Sequence, residues 1–324
     1  MKSDMRVLVT GGAGRLGINV CKILLGEGFQ VRLFDLDTPR NRQCVEELGG
    51  KAEIFWGDIT KPDSVYKAMA DIDAVVHMAA VLPPVVYEKP ELAHEVNVGG
   101  TRILVDLIKA KGGHIPLVFT SSVAVFGPTP EAEAPISVDS YVPNPIETYG
   151  ETKLKAEEVI RESGIDHLIL RLTAIMYFSF DMSDMKRILS IPLENRLEFC
   201  HPDDLAVAIC NALKNFDTIK GNILVISGGP QQRMLFKDMI GGLLGVMGLP
   251  LPPENKFTRE PYFLDWYDTS RSQELLKFQR KGYNDYLKDF SQGLNRRYTK
   301  LFLPFMRYLV SPVFGTMVIG FICR

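Results

Sequence analysis

The chain predicts an α/β protein: a doubly wound parallel sheet with helices on both faces and a small C-terminal lobe. Three observations carry that prediction. From residue 5 to about 230, short apolar runs alternate with longer stretches of helical period, the mark of repeated βαβ units. The first run leads straight into a glycine-rich turn that opens an apolar-periodic helix. At 324 residues the chain is also longer than one ordinary core requires, which leaves room for a lobe beside the main domain.

Taken in order, strands are expected near 5–10 (RVLVT), 30–35 (QVRLFD), 52–56, 73–78 (DAVVHM), 115–120 (IPLVFT), 167–171 and 222–227 (NILVIS). Helices are expected near 15–27, 41–48, 62–70, 90–111, 148–163 and 203–215. Right-handed crossovers place those helices on both faces, and the ligand crevice then lies at the carboxyl ends of the strands. Residues 121–147 are rich in proline and follow a strand end, so they read as a long loop of the kind that carries function. The expected division is a nucleotide-binding domain over 1–171, to which helix 203–215 and strand 222–227 return, and a substrate lobe from 172–202 and 228–295 without βαβ rhythm.

A tail, 296–324, carries Arg296, Arg297, Lys300, Arg307 and Arg324 and no acidic residue. Its apolar run Tyr308–Cys323, about 16 residues, falls short of the roughly 20 that span a bilayer. Three readings stay open for it: a terminus packed on the protein or a dimer partner, a segment lying on a membrane surface, or a transmembrane anchor.

Composition excludes several classes. Hydrophobic residues at 46% and charged residues at 23% are globular proportions, and the formal charge of −2 supplies no positive field for nucleic acid. Cys21, Cys44, Cys200, Cys210 and Cys323 are scattered, without a C-x-x-C pair, which suits a reduced cytoplasmic protein. The charged residues before Val7 do not make a secretion signal. No metal is expected: Cys200, His201 and Asp203 are close in sequence but lack ligand spacing, and His77 reads as a core histidine.

The chemistry starts at Thr10-Gly11-Gly12-Ala13-Gly14-Arg15-Leu16-Gly17. Between a strand and a helix, Gly11, Gly14 and Gly17 let a pyrophosphate approach backbone N–H groups and the helix N-terminus, with Arg15 and Leu16 in the same turn; this is the Rossmann-type arrangement. Gly17 is followed by Ile18 and Asn19 where a P-loop needs Lys and Ser or Thr, so triphosphate hydrolysis is excluded on this motif. Asp35 ends the second strand, where a carboxylate accepts the ribose hydroxyls of NAD and repels the 2′-phosphate of NADP. Arg32, Arg40 and Arg42 soften that preference. Tyr149 and Lys153 stand four apart at a helix start, on one face, and the preceding strand ends in Thr120-Ser121-Ser122.

With these residues the chain resembles the extended short-chain dehydrogenase/reductases, also called the NAD-dependent epimerase/dehydratase family. The resemblance covers about residues 5–230 and rests on the 10–17 turn, Asp35, Gly57-Asp58-Ile59, His77-Met78-Ala79-Ala80, Asn97-Val98-Gly99-Gly100-Thr101, Thr120-Ser121-Ser122 and Tyr149-Gly150-Glu151-Thr152-Lys153. It implies that Asp58 meets the adenine, that Ile59, Ala79, Ala80 and Thr120 line the cofactor, and that Asn97 supports the site near the nicotinamide. It also implies a catalytic set of Ser122, Tyr149 and Lys153, the last two touching cofactor as well, and a homodimer paired through the helices near 90–111 and 148–163.

The physical reading stands beside it. The Lys153 ammonium favours a Tyr149 phenolate, lowering a phenol value of about 10, while Ser122 holds the substrate oxygen. The sequence departs from the nucleotide-sugar members after Arg171, where Arg196 is the one obvious phosphate partner. Leu82, Val123, Ile175 and Met176 are apolar cleft candidates, with Ser122 the polar contact. The expectation is therefore an NAD-dependent oxidoreductase interconverting a secondary alcohol and a ketone on an apolar small molecule. The alternatives are a nucleotide-sugar epimerase or dehydratase and a non-catalytic dinucleotide sensor.

Overall fold

A computed structural model of the chain describes residues 5–129, 135–139, 141–175, 188–260 and 262–297, the last four through the backbone alone. Seven strands form the central sheet: β1 (Arg6–Thr10), β2 (Gln30–Asp35), β3 (Glu53–Trp56), β4 (Ala74–His77), β5 (Leu117–Ser122), β6 (His167–Leu172) and β9 (Ile223–Ile226). All pair in parallel, in the order β3-β2-β1-β4-β5-β6-β9. Alternate side chains feed two core layers, as the pleat requires. Val7 and Val9 pack with Val20 and Leu24 of α1 (Arg15–Gly26) and with Ile209 of the helix Pro202–Lys214. Leu8 and Val75 pack on the opposite face with Leu104, Ala156 and Ile160. A parallel sheet covered on both faces explains why its strands read as unbroken apolar runs.

Strand order reverses beside β1, whose neighbours are β2 and β4, so the crevice opens above the carboxyl ends of β1 and β4. The Thr10 hydroxyl closes that point. It bonds His77 Nδ1 at 2.7 Å and accepts from the backbone N–H of Met78 and Ala79 at 3.2 and 3.3 Å.

Several expectations need correction. Strand β5 runs to Ser122, so Ser121 and Ser122 belong to the sheet, paired in register with Arg171 and Leu172, and the following loop starts with a 3-10 turn at Val123–Phe126. The helix expected over 90–111 is three pieces: α5 (Pro90–Ala93), a π-helical stretch His94–Gly100, and α6 (Thr101–Ala110). The helix expected from 41 starts at Pro39, because Thr38 caps it by accepting from Asn41 N at 3.1 Å; α2 spans Pro39–Val45. The other early helices are α3 (Pro62–Ala68), α4 (Val85–Glu88) and α7 (Thr148–Glu162).

The segments after β6 carry further order. They contain a second sheet, order β10-β8-β7, from β7 (Ala174–Ile175), β8 (Arg196–Cys200) and β10 (Arg233–Leu235). Its core joins Leu197 and Phe199 to Phe236, Ile240 and Leu244 of the helix Phe236–Met247 and to Tyr286 and Phe290 of the helix Tyr283–Arg297. Of the tail, 298–324 lies outside the described residues. Among the described residues no helix is long and apolar enough to cross a membrane.

Candidate active site

The glycine turn is built by close backbone approach. At Gly11, φ is +70° and a Cβ would lie 2.7 Å from Ala79 N; at Gly17 it would lie 2.4 Å from the Gly11 carbonyl oxygen. Gly14 is different: it is exposed, and the one atom near its absent Cβ is the Gly11 oxygen at 3.2 Å. It occupies the N-cap of α1, which has no side-chain cap and no acid in its first turn. The positive end of the helix is thus left without a protein carboxylate, which fits a pyrophosphate. Arg15 is exposed and Leu16 half-buried beside it.

Asp35 faces the same turn from the end of β2. One carboxylate oxygen accepts from Ala13 N at 2.9 Å, and the other from Leu36 N at 2.8 Å and the Asn41 side chain at 3.2 Å. Burial pushes its carboxyl above the usual value, against the pull of the two amides. The arginines expected to soften the NAD preference include two engaged elsewhere. Arg32 is 8% exposed and bonds Glu53 and the carbonyls of Ala68 and Ala70, while Arg42 pairs with Asp37 at 2.6 and 2.7 Å. Asp58 shapes its own turn, accepting from Thr60 N and Oγ1 at 2.9 and 2.8 Å. Ile59 is 6% exposed and fills the space beside Gly100.

The second half of the crevice lies along β4, β5 and α7. Ala79 and Ala80 are half-buried after β4. Asn97, in the π-helical stretch, accepts from Val81 N at 2.7 Å and donates to Val81 O at 3.2 Å and Thr152 Oγ1 at 3.0 Å. It therefore ties the loop after β4 to the residue before Lys153, and a π-helix at such a place is a common mark of function. His77 is fully buried and its Nε2 meets Thr101 Oγ1 at 3.0 Å; burial and the Lys153 charge push it down to about 3, so it is neutral.

Lys153 is 3% exposed, donates to the Thr120 carbonyl at 2.8 Å and lies 4.9 Å over the Phe119 ring. Burial pushes its ammonium down to about 8, with Glu157 pulling the other way. Thr120 also donates from Oγ1 to His77 O at 3.2 Å. Ser122 is 9% exposed at the strand end, its Oγ accepting from Ala124 N at 3.2 Å. Tyr149 stands one turn before Lys153 and is half-buried. Glu147 caps that helix, accepting from Tyr149 N at 2.8 Å and Gly150 N at 2.6 Å, and it receives the Tyr87 hydroxyl. Sequence reasoning missed Glu147 and Tyr87; an acidic N-cap just before a Y-x-x-x-K pair was the available signal for the first.

The apolar cleft candidates divide. Leu82 is 54% exposed and Ile175 half-buried, Met176 lies outside the described residues, and Val123 is 1% exposed in a cluster with Phe126, Ile136 and Tyr267. Val123, in the 3-10 turn after β5, is thus a core residue. Arg196, the expected phosphate partner, forms a two-pronged pair with Asp265 at 2.7 Å through each nitrogen, and Asp265 is itself 2% exposed. His201, Asp203 and Asp289 bring ligand atoms within 4.8 Å of one another, but the Lys281 ammonium bridges the two carboxylates at 2.8 and 2.9 Å.

A family model, the NAD dependent epimerase/dehydratase family, matches residues 7–180. A UDP-glucose 4-epimerase of Lactobacillus helveticus is 36% identical over 184 residues, 54% of this chain and 52% of that protein. A D-erythronate dehydrogenase of Cupriavidus necator is 29% identical over 187 residues, 53% of this chain and 55% of that protein. The chain spans about half the length of these curated relatives. The solved UDP-glucuronic acid 4-epimerase from Bacillus cereus, in complex with UDP-glucuronic acid and NAD, superposes with a TM-score of 0.77 at 23% identity, covering 91% of this chain and 100% of that one, a likeness of fold. Seven parallel strands, a glycine turn at the switch point and a match over more than half of the sequence make this chain a member of the NAD-dependent epimerase/dehydratase family.

Proposed function

We propose that the protein is an NAD-dependent oxidoreductase that interconverts a secondary alcohol and a ketone, with Ser122, Tyr149 and Lys153 as its catalytic set. The observation that carries this reading is the dry seat of Lys153: an ammonium on the Thr120 carbonyl, one helical turn from Tyr149 and at the strand end that presents Ser122. The cofactor is NAD, held by Gly11, Gly14, Arg15, Leu16 and Gly17 at the pyrophosphate and by Asp35 at the ribose. When bound, it accepts a hydride from the carbinol carbon or returns one.

The chain's own groups handle the proton. Ser122 Oγ donates to the substrate oxygen and fixes it at the sheet edge. The Lys153 charge favours the Tyr149 phenolate, which takes the hydroxyl proton during oxidation; the phenol gives it back during reduction. Asn97 holds the Val81 loop against Thr152 and so keeps α7 in place.

An apolar substrate body is supported by the exposed side chains near the mouth. Leu82, Val85 and Tyr87 are 54%, 40% and 47% exposed. The pairing of Arg196 with Asp265 also removes one cation from diphosphate binding. The second reading, a nucleotide-sugar epimerase, is supported by the UDP-glucose 4-epimerase relative. The two separate on stoichiometry. Incubation with NAD and a panel of hydrophobic secondary alcohols gives one NADH per ketone under the first reading. Inversion of a sugar nucleotide without net NADH would replace it with the second.

A further inference from the structure

Behind Lys153 lies a set of charges that the proton transfer does not itself use. Glu157 stands one turn beyond Lys153 on α7, so both side chains leave the same face of the helix. Glu157 is 0% and Arg171, on β6, 3% exposed, and their pair has two prongs: Nε to Oε1 at 3.0 Å and Nη2 to Oε2 at 2.7 Å. Ser121 adds a third bond, donating to Oε1 at 2.5 Å. That hydroxyl belongs to the residue between Thr120, whose carbonyl seats Lys153, and Ser122. The Arg171 guanidinium also lies 4.8 Å over the ring of Phe126, in the turn that follows Ser122. One buried carboxylate therefore joins α7, the end of β5 and that turn.

Stability alone is a weak reason for such an arrangement. Replacing a buried ion pair by apolar groups of similar volume is often neutral or stabilising, because desolvation offsets the attraction. Placement suggests a better one. We propose that Glu157 is a positioning residue: its carboxylate, fixed by Arg171 and Ser121, sets the seat and the charge state of the Lys153 ammonium.

Burial pushes Lys153 down to about 8, and Glu157 is the charge that pulls it back up. The other groups facing Lys153 give no such support. His77 on β4 is neutral, Arg171 on β6 is a cation paired with Glu157, Tyr149 on α7 carries charge only as the phenolate that Lys153 itself favours, and β5 offers the Phe119 ring and the Thr120 carbonyl. Without the Glu157 charge, the amine meets burial alone and loses its proton within the physiological range. A neutral amine no longer stabilises a phenolate. This kinetic consequence rests on the reading of Tyr149 and Lys153 given above; the electrostatic one does not.

The test titrates Lys153 directly by carbon NMR of the full chain labelled with ε-carbon-13 lysine, its signal identified by its loss in Lys153→Met. The native midpoint is expected near 8. In Glu157→Gln it should fall by about one pH unit, a tenfold weaker hold on the proton, and Glu157→Asp should restore it. Because Glu157→Gln strands the Arg171 charge, the double variant Glu157→Gln/Arg171→Gln removes both charges together, and its midpoint should still fall, though by less than in Glu157→Gln because the stranded cation is gone. An unmoved midpoint in either folded variant overturns the proposal. The pH profile of kcat/KM supplies the second arm, its alkaline limit moving down with the Lys153 midpoint. A midpoint that moves while the profile stays fixed supports the electrostatic role of Glu157 and overturns the catalytic reading of Lys153.

Discussion

Replacing Lys153 by Met should stabilise the protein while removing its chemistry, and the gain should depend on pH. The folded state holds the Lys153 proton less tightly than the unfolded chain: the ammonium falls from 10.5 to about 8 on burial. That fall corresponds to about 3 kcal/mol. Below pH 8 both states carry the proton and the whole penalty weighs on the native enzyme. As pH rises from 8 towards 10.5 the folded state releases the proton first, and the penalty is relieved. Met of similar length carries no such penalty at any pH. The lost bond to the Thr120 carbonyl subtracts roughly 1.5–3 kcal/mol from the gain without changing this slope. Urea unfolding of both proteins at pH 7, 8.5 and 10 should show the stability gap, variant minus native, shrinking by most of those 3 kcal/mol. Tyrosines away from Lys153 titrate alike in both proteins and cancel; Tyr149, which the Lys153 charge influences, is removed from the comparison by making both measurements in a Tyr149→Phe background. A gap that stays constant across the three values refutes the buried-ammonium argument.

Four further outcomes follow from the same geometry. Tyr149→Phe should lower turnover by about 10²–10⁴-fold and leave NADH affinity, read by fluorescence titration, within a factor of two or so. Asp35→Ala removes both the ribose acceptor and the bond to Ala13 N; NAD affinity should fall by roughly tenfold or more, about 1.4 kcal/mol, and NADP affinity should fall less. In Gly17→Ala the new Cβ meets two backbone carbonyls, at 2.4 and 2.5 Å, that no side-chain rotation relieves. Calorimetry should show about 1–3 kcal/mol of destabilisation together with weakened NADH binding; unchanged binding would remove the turn from the cofactor site. Arg171→Met strands Glu157 in the core, and chemical denaturation should record a loss of about 3–5 kcal/mol.

Much of this fold can be read from the sequence because the relevant signals are local. Buried parallel strands leave apolar runs, and a glycine turn needs its glycines at fixed spacing. The strand ends of β1, β2 and β6 were legible to within a residue or so for that reason. The second sheet was not: β7 is two residues long and β10 three, and they find β8 only through tertiary contact. The π-helical register around Asn97 leaves no mark in an apolar period, although Asn97 itself was legible by resemblance.

Site residues divide the same way. Ser122, Tyr149 and Lys153 announce themselves by type and spacing. What surrounds them depends on partners far along the chain: Arg196 reads as a free cation until Asp265, 69 positions later, pairs with it. Val123 reads as a cleft wall, yet in the fold it is 1% exposed and packs with Phe126, Ile136 and Tyr267. Glu157 stood in plain view one turn past Lys153, but its burial and its bonds to Arg171 and Ser121 exist only in three dimensions.

Under the proposed function, Tyr149 moves a substrate proton in step with reduction of bound NAD. Absorbance at 340 nm, followed in a single turnover with enzyme and NAD in equal amounts, tests it for free and retained cofactor alike. With hydrophobic secondary alcohols, and with sugar nucleotides beside them, the native enzyme should show a rise at 340 nm on at least one substrate class, and Tyr149→Phe should show none. An equal rise in both proteins would contradict the assignment of Tyr149, and no rise on any substrate with NAD bound would contradict the enzyme.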